Sequence, residues 1–101
     1  RGILSTIYID IPKNSSQLKI INELKKHYKK NTFIKILAQN KLISTNDVVN
    51  TNNCYISICK TKNKKRLIIL SAIDNLIKGG AGQAIQNMNI IYNYPNTFGL
   101  K

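Results

Sequence analysis

Residues 54–72, CYISICKTKNKKRLIILSA, decide the fold class of this chain. Residues 54–60 alternate between apolar and polar side chains, and residues 66–72 are apolar and rich in β-branched types, so both segments are typical of strands. The five residues between them, TKNKK, suit a hairpin loop. The sequence therefore predicts an antiparallel pair of strands at the centre of the chain.

The residues before this hairpin predict a strand, a helix and a second strand. Residues 3–11 alternate as a strand with one buried face and end at Pro12, and residues 33–38 form a short strand. Between them we expect an amphipathic helix of about four turns. Its N-cap candidates are Asn14, Ser15 and Ser16, and its apolar face comprises Leu18, Ile21, Leu24 and Tyr28. We interpret residues 39–53 as a long surface connection, with a turn of structure at residues 47–49.

The residues after the hairpin predict a second amphipathic helix that begins at Ala81 and stops at Asn93 and Pro95. Its apolar face comprises Ala81, Ala84, Ile85, Met88 and Ile91. The predicted order is β, α, β, loop, β, β, α. We therefore expect one α+β domain over residues 1–101, in which helices cover one face of a largely antiparallel sheet.

The charge of the chain raises an alternative function. Sixteen Lys and Arg residues against four Asp and Glu give a net charge of +12, which favours a polyanionic partner. An AT-rich genome would also place lysine at solvent-facing positions, and no Arg and aromatic residues alternate as they do in single-strand binders. A basic nucleic-acid-binding module is thus the alternative, and we expect no nucleic-acid partner.

The two cysteines and the single histidine predict neither a disulfide nor a metal site. Cys54 and Cys59 lie five residues apart in one strand, so their α-carbons are separated by roughly 16 Å on opposite faces. Their spacing is not that of a zinc half-site. We expect half-buried thiols in a reducing compartment, and we expect His27 to be a partly exposed residue near a helix end. No apolar run approaches the roughly 20 residues of a membrane span, which predicts a soluble protein.

The glycine-rich segment IKGGAGQA, residues 77–84, resembles a phosphate-binding loop only in composition. The dinucleotide fingerprint fails because Ile85 stands where the third glycine is required after Gly80 and Gly82. A P-loop fails because Gln83 follows the last glycine. Two readings stay open: free N–H groups at a helix start that accept an anion, or glycines that allow a sharp turn and close packing of the helix.

The segments at the two ends of the chain resemble the N-acetyl-gamma-glutamyl-phosphate reductase family. The residues that carry the resemblance are RGILSTIYI at 1–9, TNNCYISI at 51–58, AIDNLIKGGAGQAIQNMNI at 72–90 and TFGL at 97–100. The resemblance implies part of a catalytic and dimerisation domain similar to the C-terminal domain of glyceraldehyde-phosphate dehydrogenase. It also implies that the Rossmann domain is absent from this chain, whose start looks like a cut through a longer protein.

The same resemblance implies the function and the site. The family reduces N-acetylglutamyl phosphate to the semialdehyde with NADPH in arginine biosynthesis, through a Cys nucleophile and a His. Neither catalytic motif occurs here, so we expect no catalytic residue and no activity of the chain alone. The implied NADP contacts are Asn75, Lys78, Gly79, Gly80, Ala81, Gly82, Gln83, Gln86 and Asn87. Arg1 is implied as a contact to the anionic substrate. A cytoplasmic homodimer or homotetramer is the implied state of the parent enzyme.

Overall fold

The predicted hairpin forms the centre of a four-stranded sheet in a computed structural model that describes residues 1–101. The elements in chain order are β1 (Ile3–Asp10), α1 (Gln17–His27), β2 (Ile34–Ile36), a short 3-10 helix (Thr45–Asp47), β3 (Cys54–Lys60), β4 (Arg66–Ile73), a π-type turn (Ile77–Ala81) and α2 (Gly82–Ile91).

The sheet is largely antiparallel, as predicted. Its strand order is β1-β4-β3-β2, and β4 pairs antiparallel with both β1 and β3. Only β2 runs parallel to its neighbour, β3. Ile73, at the end of β4, lies opposite both Ile3 and Cys54. The α+β class is confirmed.

One face of the sheet is covered by α1, whose first residues begin where the sequence predicts. The Ser16 side chain accepts a hydrogen bond from the N–H of Lys19 at 3.2 Å and caps the helix. Ile21 is buried against Ile58 and Leu67 in the first core cluster. Two details of the prediction are wrong: the helix has three turns rather than four, and Leu18 is 54% exposed.

The opposite face of the sheet is covered by the segment between β2 and β3. The prediction of a surface connection there is wrong, because Ile43 and Val48 are buried against Ala72 in a second core cluster. The predicted turn of structure lies slightly earlier, as the 3-10 helix. Asn40 and Asn50 adopt positive φ angles of 58° and 61°, which asparagine tolerates better than most residues. These turns fold the segment back onto the sheet.

The second helix lies beside the ends of the strands rather than over the middle of the sheet. Its Gln86 side chain accepts a hydrogen bond from Asn52, just before β3, at 2.9 Å. Its buried Asn89 donates to the backbone carbonyls of Asn96 and Phe98, which holds the last residues of the chain under the helix. Of the two helices, α1 is therefore the one that covers a sheet face.

The structure also tests the predictions for the two cysteines, the histidine and the length of the helices. Both thiols are half-buried, and His27 is the exposed last residue of α1, so the predicted burial of the cysteines and the predicted place of the histidine are confirmed. Neither helix has the length and apolarity that a membrane crossing requires.

Candidate functional site

A fully buried carboxylate, Asp74, organises the region that the glycine-rich segment enters. It follows β4 directly and accepts hydrogen bonds from the Arg1 guanidinium, with Nη2 at 2.7 Å and Nε at 3.0 Å from Oδ2. The backbone N–H of Asn50 also donates to Oδ2, at 2.8 Å. The N–H groups of Leu76 and Ile77 donate to Oδ1 at 2.9 and 3.2 Å. One carboxylate thus joins the first residue, the loop before β3 and the turn before α2.

These donors hold the pKa of Asp74 well below its usual range. The hydrogen bond from Arg1 is the largest cause, and burial acts in the opposite direction. The N–H groups of Asn50, Leu76 and Ile77 add to the lowering. Asp74 is therefore ionised whenever the chain is folded near neutral pH.

The predicted site residue Asn75 fixes the start of β1. Its Oδ1 atom accepts a hydrogen bond from the N–H of Gly2 at 2.6 Å. Gly2 has a φ of +115°, and a Cβ atom there would lie 2.7 Å from Cγ2 of Thr45, so only glycine fits. Arg1, the predicted substrate contact, directs its guanidinium to Asp74, close to the start of the glycine-rich segment.

The N–H groups of the glycine-rich segment are used within the chain. Gly79 donates to the carbonyl of Asp74 at 3.0 Å, Ala81 to that of Leu76 at 3.2 Å, and Gly82 to that of Ile77. These are bonds to the fifth residue back, the pattern of a π-type turn. Of the two readings that the sequence leaves open, free N–H groups at a helix start therefore fail for these three residues, because a π-type turn over Ile77–Ala81 precedes α2.

Close packing explains Gly82. A Cβ atom at Gly82 would lie 2.7 Å from the carbonyl oxygen of Ile77 and would also meet the Asn52 side chain. Gly79 has ordinary space for a Cβ atom, and Gly80 interrupts the helical backbone with φ −149° and ψ −113°. The alternative reading, in which glycine allows close approach of the helix, thus holds at Gly82.

Two predicted site residues, Lys78 and Gln86, meet beside the buried Asn52. The Lys78 ammonium donates to Oε1 of Gln86 at 2.9 Å, and Nδ2 of Asn52 donates to the same oxygen at 2.9 Å. Nζ of Lys78 also lies 5.7 Å from the ring centre of Phe33. Burial lowers the pKa of Lys78, and the nearby Cys54 acts in the opposite direction. Lys78 is thus a partly desolvated cation held by the amide oxygen of Gln86.

The other predicted residues lie on the outer side of the segment. Gln83 donates to Oδ1 of Asn87 at 2.9 Å on the exposed surface of α2. Gly79, Gly80 and Ala81 are exposed. The structure therefore divides the predicted set into an inner pair, Lys78 and Gln86, and an outer row that is open to a ligand.

Sequence reasoning missed the two residues that position this set. Asp74 and Asn52 are both fully buried, yet each stands in a polar stretch that is equally compatible with a turn. Asp74 at the end of an apolar strand was the available signal, since an acidic residue there suits the N–H groups of a following turn. Nothing in the local sequence marks Asn52.

The sheet, the helix α1 on one face and the segment between β2 and β3 on the other define an α+β domain that carries no paired nucleophile and base of its own. The model of the semialdehyde dehydrogenase dimerisation domain matches residues 1–75, and the chain belongs to that family.

Curated relatives match the whole chain, including the glycine-rich segment and α2. The N-acetyl-gamma-glutamyl-phosphate reductase of Halothermothrix orenii is 46% identical over 101 residues, and the enzyme of that name from Karelsulcia muelleri is 48% identical. The chain covers 29% of the length of each of these two proteins. A match to reductases at this level over every residue does not favour the nucleic-acid-binding alternative.

Proposed function

We propose that this chain is part of an N-acetyl-gamma-glutamyl-phosphate reductase that uses NADPH to reduce an acyl phosphate to its semialdehyde in arginine biosynthesis. The observation that carries the proposal is the similarity of all 101 residues to reductases of that name. The chain contains no residue in a nucleophile and base arrangement, because His27 is an exposed helix-end residue and the thiol of Cys54 forms a side-chain hydrogen bond with Ser71 and not with a base. The catalytic Cys and His would therefore come from the rest of the reductase.

In this proposal the glycine-rich segment is a wall of the NADP pocket. The residues present fit the cofactor: Gly79 and Gly80 present exposed backbone without side chains, so a flat ring can approach closely. Gln83 and Asn87 offer side-chain amides, which match the hydrogen-bonding groups of a carboxamide. Lys78 supplies a positive charge, with Gln86 behind it.

These positions suggest a separate role for each of the residues. NADPH supplies the hydride when bound, and the residues of this chain orient the nicotinamide ring and shield it from water. Gln83 and Asn87 fix the orientation of the ring through hydrogen bonds, Ala81 contributes apolar contact, and Gly82 keeps α2 tightly packed on Asn52 so that the segment stays in place. Asn75 and Asp74 anchor the start of the segment to β1 through Gly2 and Arg1. Arg1, whose guanidinium forms part of that anchor, is also proposed as a contact to the anionic substrate.

The proposal includes a cytoplasmic homo-oligomer. The family description and the exposed apolar side chains of the edge strand β1, such as Ile3, Leu4, Ile7 and Tyr8, support contact between subunits.

The test is an assay of the full-length protein for NADPH oxidation that depends on N-acetylglutamyl phosphate. Gln83→Ala is expected to raise the KM for NADPH several-fold, since a good hydrogen bond contributes about 0.5–1.5 kcal/mol. Lys35→Ala, on the exposed side of β2, is the matched control and should behave as wild type. Absence of the activity from the purified wild-type protein would refute the reductase proposal, and an unchanged KM in Gln83→Ala would refute the cofactor wall.

A further inference from the structure

A cavity of about 290 Å³ lies between the end of α1, the residues before β2, and α2. Lys78, Gln86 and Ile90 line one side of it, and Tyr28, residues 31–34 and Asn96 line the rest. The volume is near the lower end of the range for small-molecule sites, about 300–1,000 Å³, so it suits a small ligand or one end of a larger one.

The cavity is positively charged, and no acidic residue balances it. Lys78 is its only charged lining residue. The chain has two ion pairs, Arg1 with Asp74 and Arg66 with Asp10, and neither involves Lys78. A half-buried ammonium that has an amide partner but no carboxylate favours an anion beside it.

The remaining polar groups of the cavity are available to a ligand. The hydroxyl groups of Tyr28 and Thr32 and the side-chain amides of Asn31 and Asn96 line it. None of these four side chains is engaged in a hydrogen bond within the chain, whereas the amides of Asn52 and Asn89 nearby are. Hydroxyl and amide donors in the same cavity as a cation are the groups that recognise the oxygen atoms of a phosphate or a carboxylate.

We propose that this cavity binds the phosphate or carboxylate group of a small molecule, with Lys78 as the charged contact and Thr32, Asn31, Tyr28 and Asn96 as hydrogen-bond donors. The ring of Phe33 walls the site and keeps the ammonium partly out of water. The proposal goes beyond the reductase assignment, because it adds lining residues from α1 and the loop before β2 and holds whichever reaction the whole protein performs.

The test is calorimetric titration of the full-length protein with inorganic phosphate and, separately, with acetate, at constant ionic strength. Saturable binding of one of them is expected. Lys78→Met keeps the length of the side chain but removes the charge, and it should weaken binding about tenfold, as expected for a hydrogen bond to a charged group. Lys78→Arg should restore it, and Lys35→Met, on the exposed side of β2, should bind as wild type.

A second variant keeps the proposal testable if Lys78→Met does not fold. Thr32→Val has nearly the same shape and removes only the hydroxyl group, and it should weaken binding several-fold. The proposal is overturned if neither anion binds saturably, if Lys78→Met and Thr32→Val both bind as wild type, or if Lys35→Met weakens binding as much as Lys78→Met.

The source of the anion is resolved by competition. Displacement of the bound probe by NADPH would assign the site to a phosphate of the cofactor, and displacement by N-acetylglutamate would assign it to the carboxylate end of the substrate. Displacement by neither would assign it to a third, separate anion. All three outcomes require the site, and a reductase without saturable anion binding at Lys78 would leave the proposed function intact while removing this inference.

Discussion

The two helices have similar apolar stripes in the sequence but opposite orientations in the structure. In α1 the apolar residue Ile21 is 2% exposed and packs on the sheet. In α2 the stripe faces outward: Ile91 is 72% exposed and Met88 44%, whereas Asn89 is fully buried. Periodicity identified both helices, but it indicated the inward face of only one.

The difference between the two helices shows that α2 is attached to the rest of the domain mainly through polar contacts. Its inward side consists of Gly82, Gln86 and Asn89, which use close backbone approach and amide hydrogen bonds instead of apolar area. Its apolar side stays available for another surface, as does that of β1. A helix attached through polar contacts and carrying a bare apolar stripe is suited to lie between two bodies.

The largest expected effect comes from truncating the buried stripe of α1. Ile21→Ala should lower the free energy of unfolding by about 2–5 kcal/mol, because it leaves a cavity against Ile58 and Leu67. Ile91→Ala should change it by no more than about 0.5 kcal/mol in this chain. Urea denaturation of both variants measures the contrast. Equal losses in the free energy of unfolding would mean that α2 buries its apolar stripe after all. A larger loss for Ile91→Ala in the full-length protein than in this chain would mean that another part of that protein covers the stripe.

The next effect concerns the buried carboxylate that anchors α2. Asp74→Asn should destabilise the fold, because the new amide group would face the Arg1 guanidinium and the Asn50 N–H, which are both donors. Asp10→Asn is the matched control. Its pair with Arg66 is exposed at both side chains, so its loss should cost little. The melting temperatures of the two variants provide the measurement.

The stabilising contribution of ionised Asp74 should also depend on pH. The pKa of Asp74 is lowered in the folded state, so its contribution is complete above the unfolded value of about 3.9 and is lost as pH falls below it. The melting temperature of the wild type should therefore fall steeply below about pH 4, and that of Asp74→Asn less steeply. Parallel curves for the two proteins would contradict the assignment.

A smaller effect is expected from crowding the inward side of α2. Gly82→Ala should cost about 1–3 kcal/mol, since its Cβ atom would lie 2.7 Å from the carbonyl oxygen of Ile77. At Gly79 the nearest atom to an added Cβ is 3.4 Å away, so Gly79→Ala is the control and should be nearly neutral. Chemical denaturation again provides the comparison. If Gly82→Ala is as stable as Gly79→Ala, close packing is not the reason for that glycine.

The parts of the fold that were predictable have a repeating local signal. The hairpin of β3 and β4 and the two helices each show a period of two or of 3.6 residues, and the capping Ser16 stands where an N-cap is expected. The second core cluster was missed because Ile43 and Val48 are isolated apolar residues in a polar stretch without a period. Their burial depends on turns at asparagines with positive φ angles.

The resemblance to the reductase family supplied candidate site residues but not their geometry. Resemblance supplied Lys78 and Gln86, which the structure places in contact through one hydrogen bond. The anchor at Asp74 depends on Arg1, 73 positions away, and on Asn50, 24 positions away, so no local pattern reveals it. The role of the glycine-rich segment stayed open in the sequence because composition does not distinguish free N–H groups at a helix start from a π-type turn that uses them.

The smallest effect separates the ways in which the two helices begin. The first turn of α1 needs a side-chain acceptor, so Ser16→Ala should cost about 1 kcal/mol, while Ser15→Ala should change stability little. In α2 the residue before the helix, Ala81, has no side-chain bond, and the Gly82 N–H is satisfied by the carbonyl of Ile77. Ala81→Ser should therefore gain nothing in the free energy of unfolding. A gain like the Ser16 loss would mean that the π-type turn leaves the start of α2 open, and the segment would again offer N–H groups to an anion.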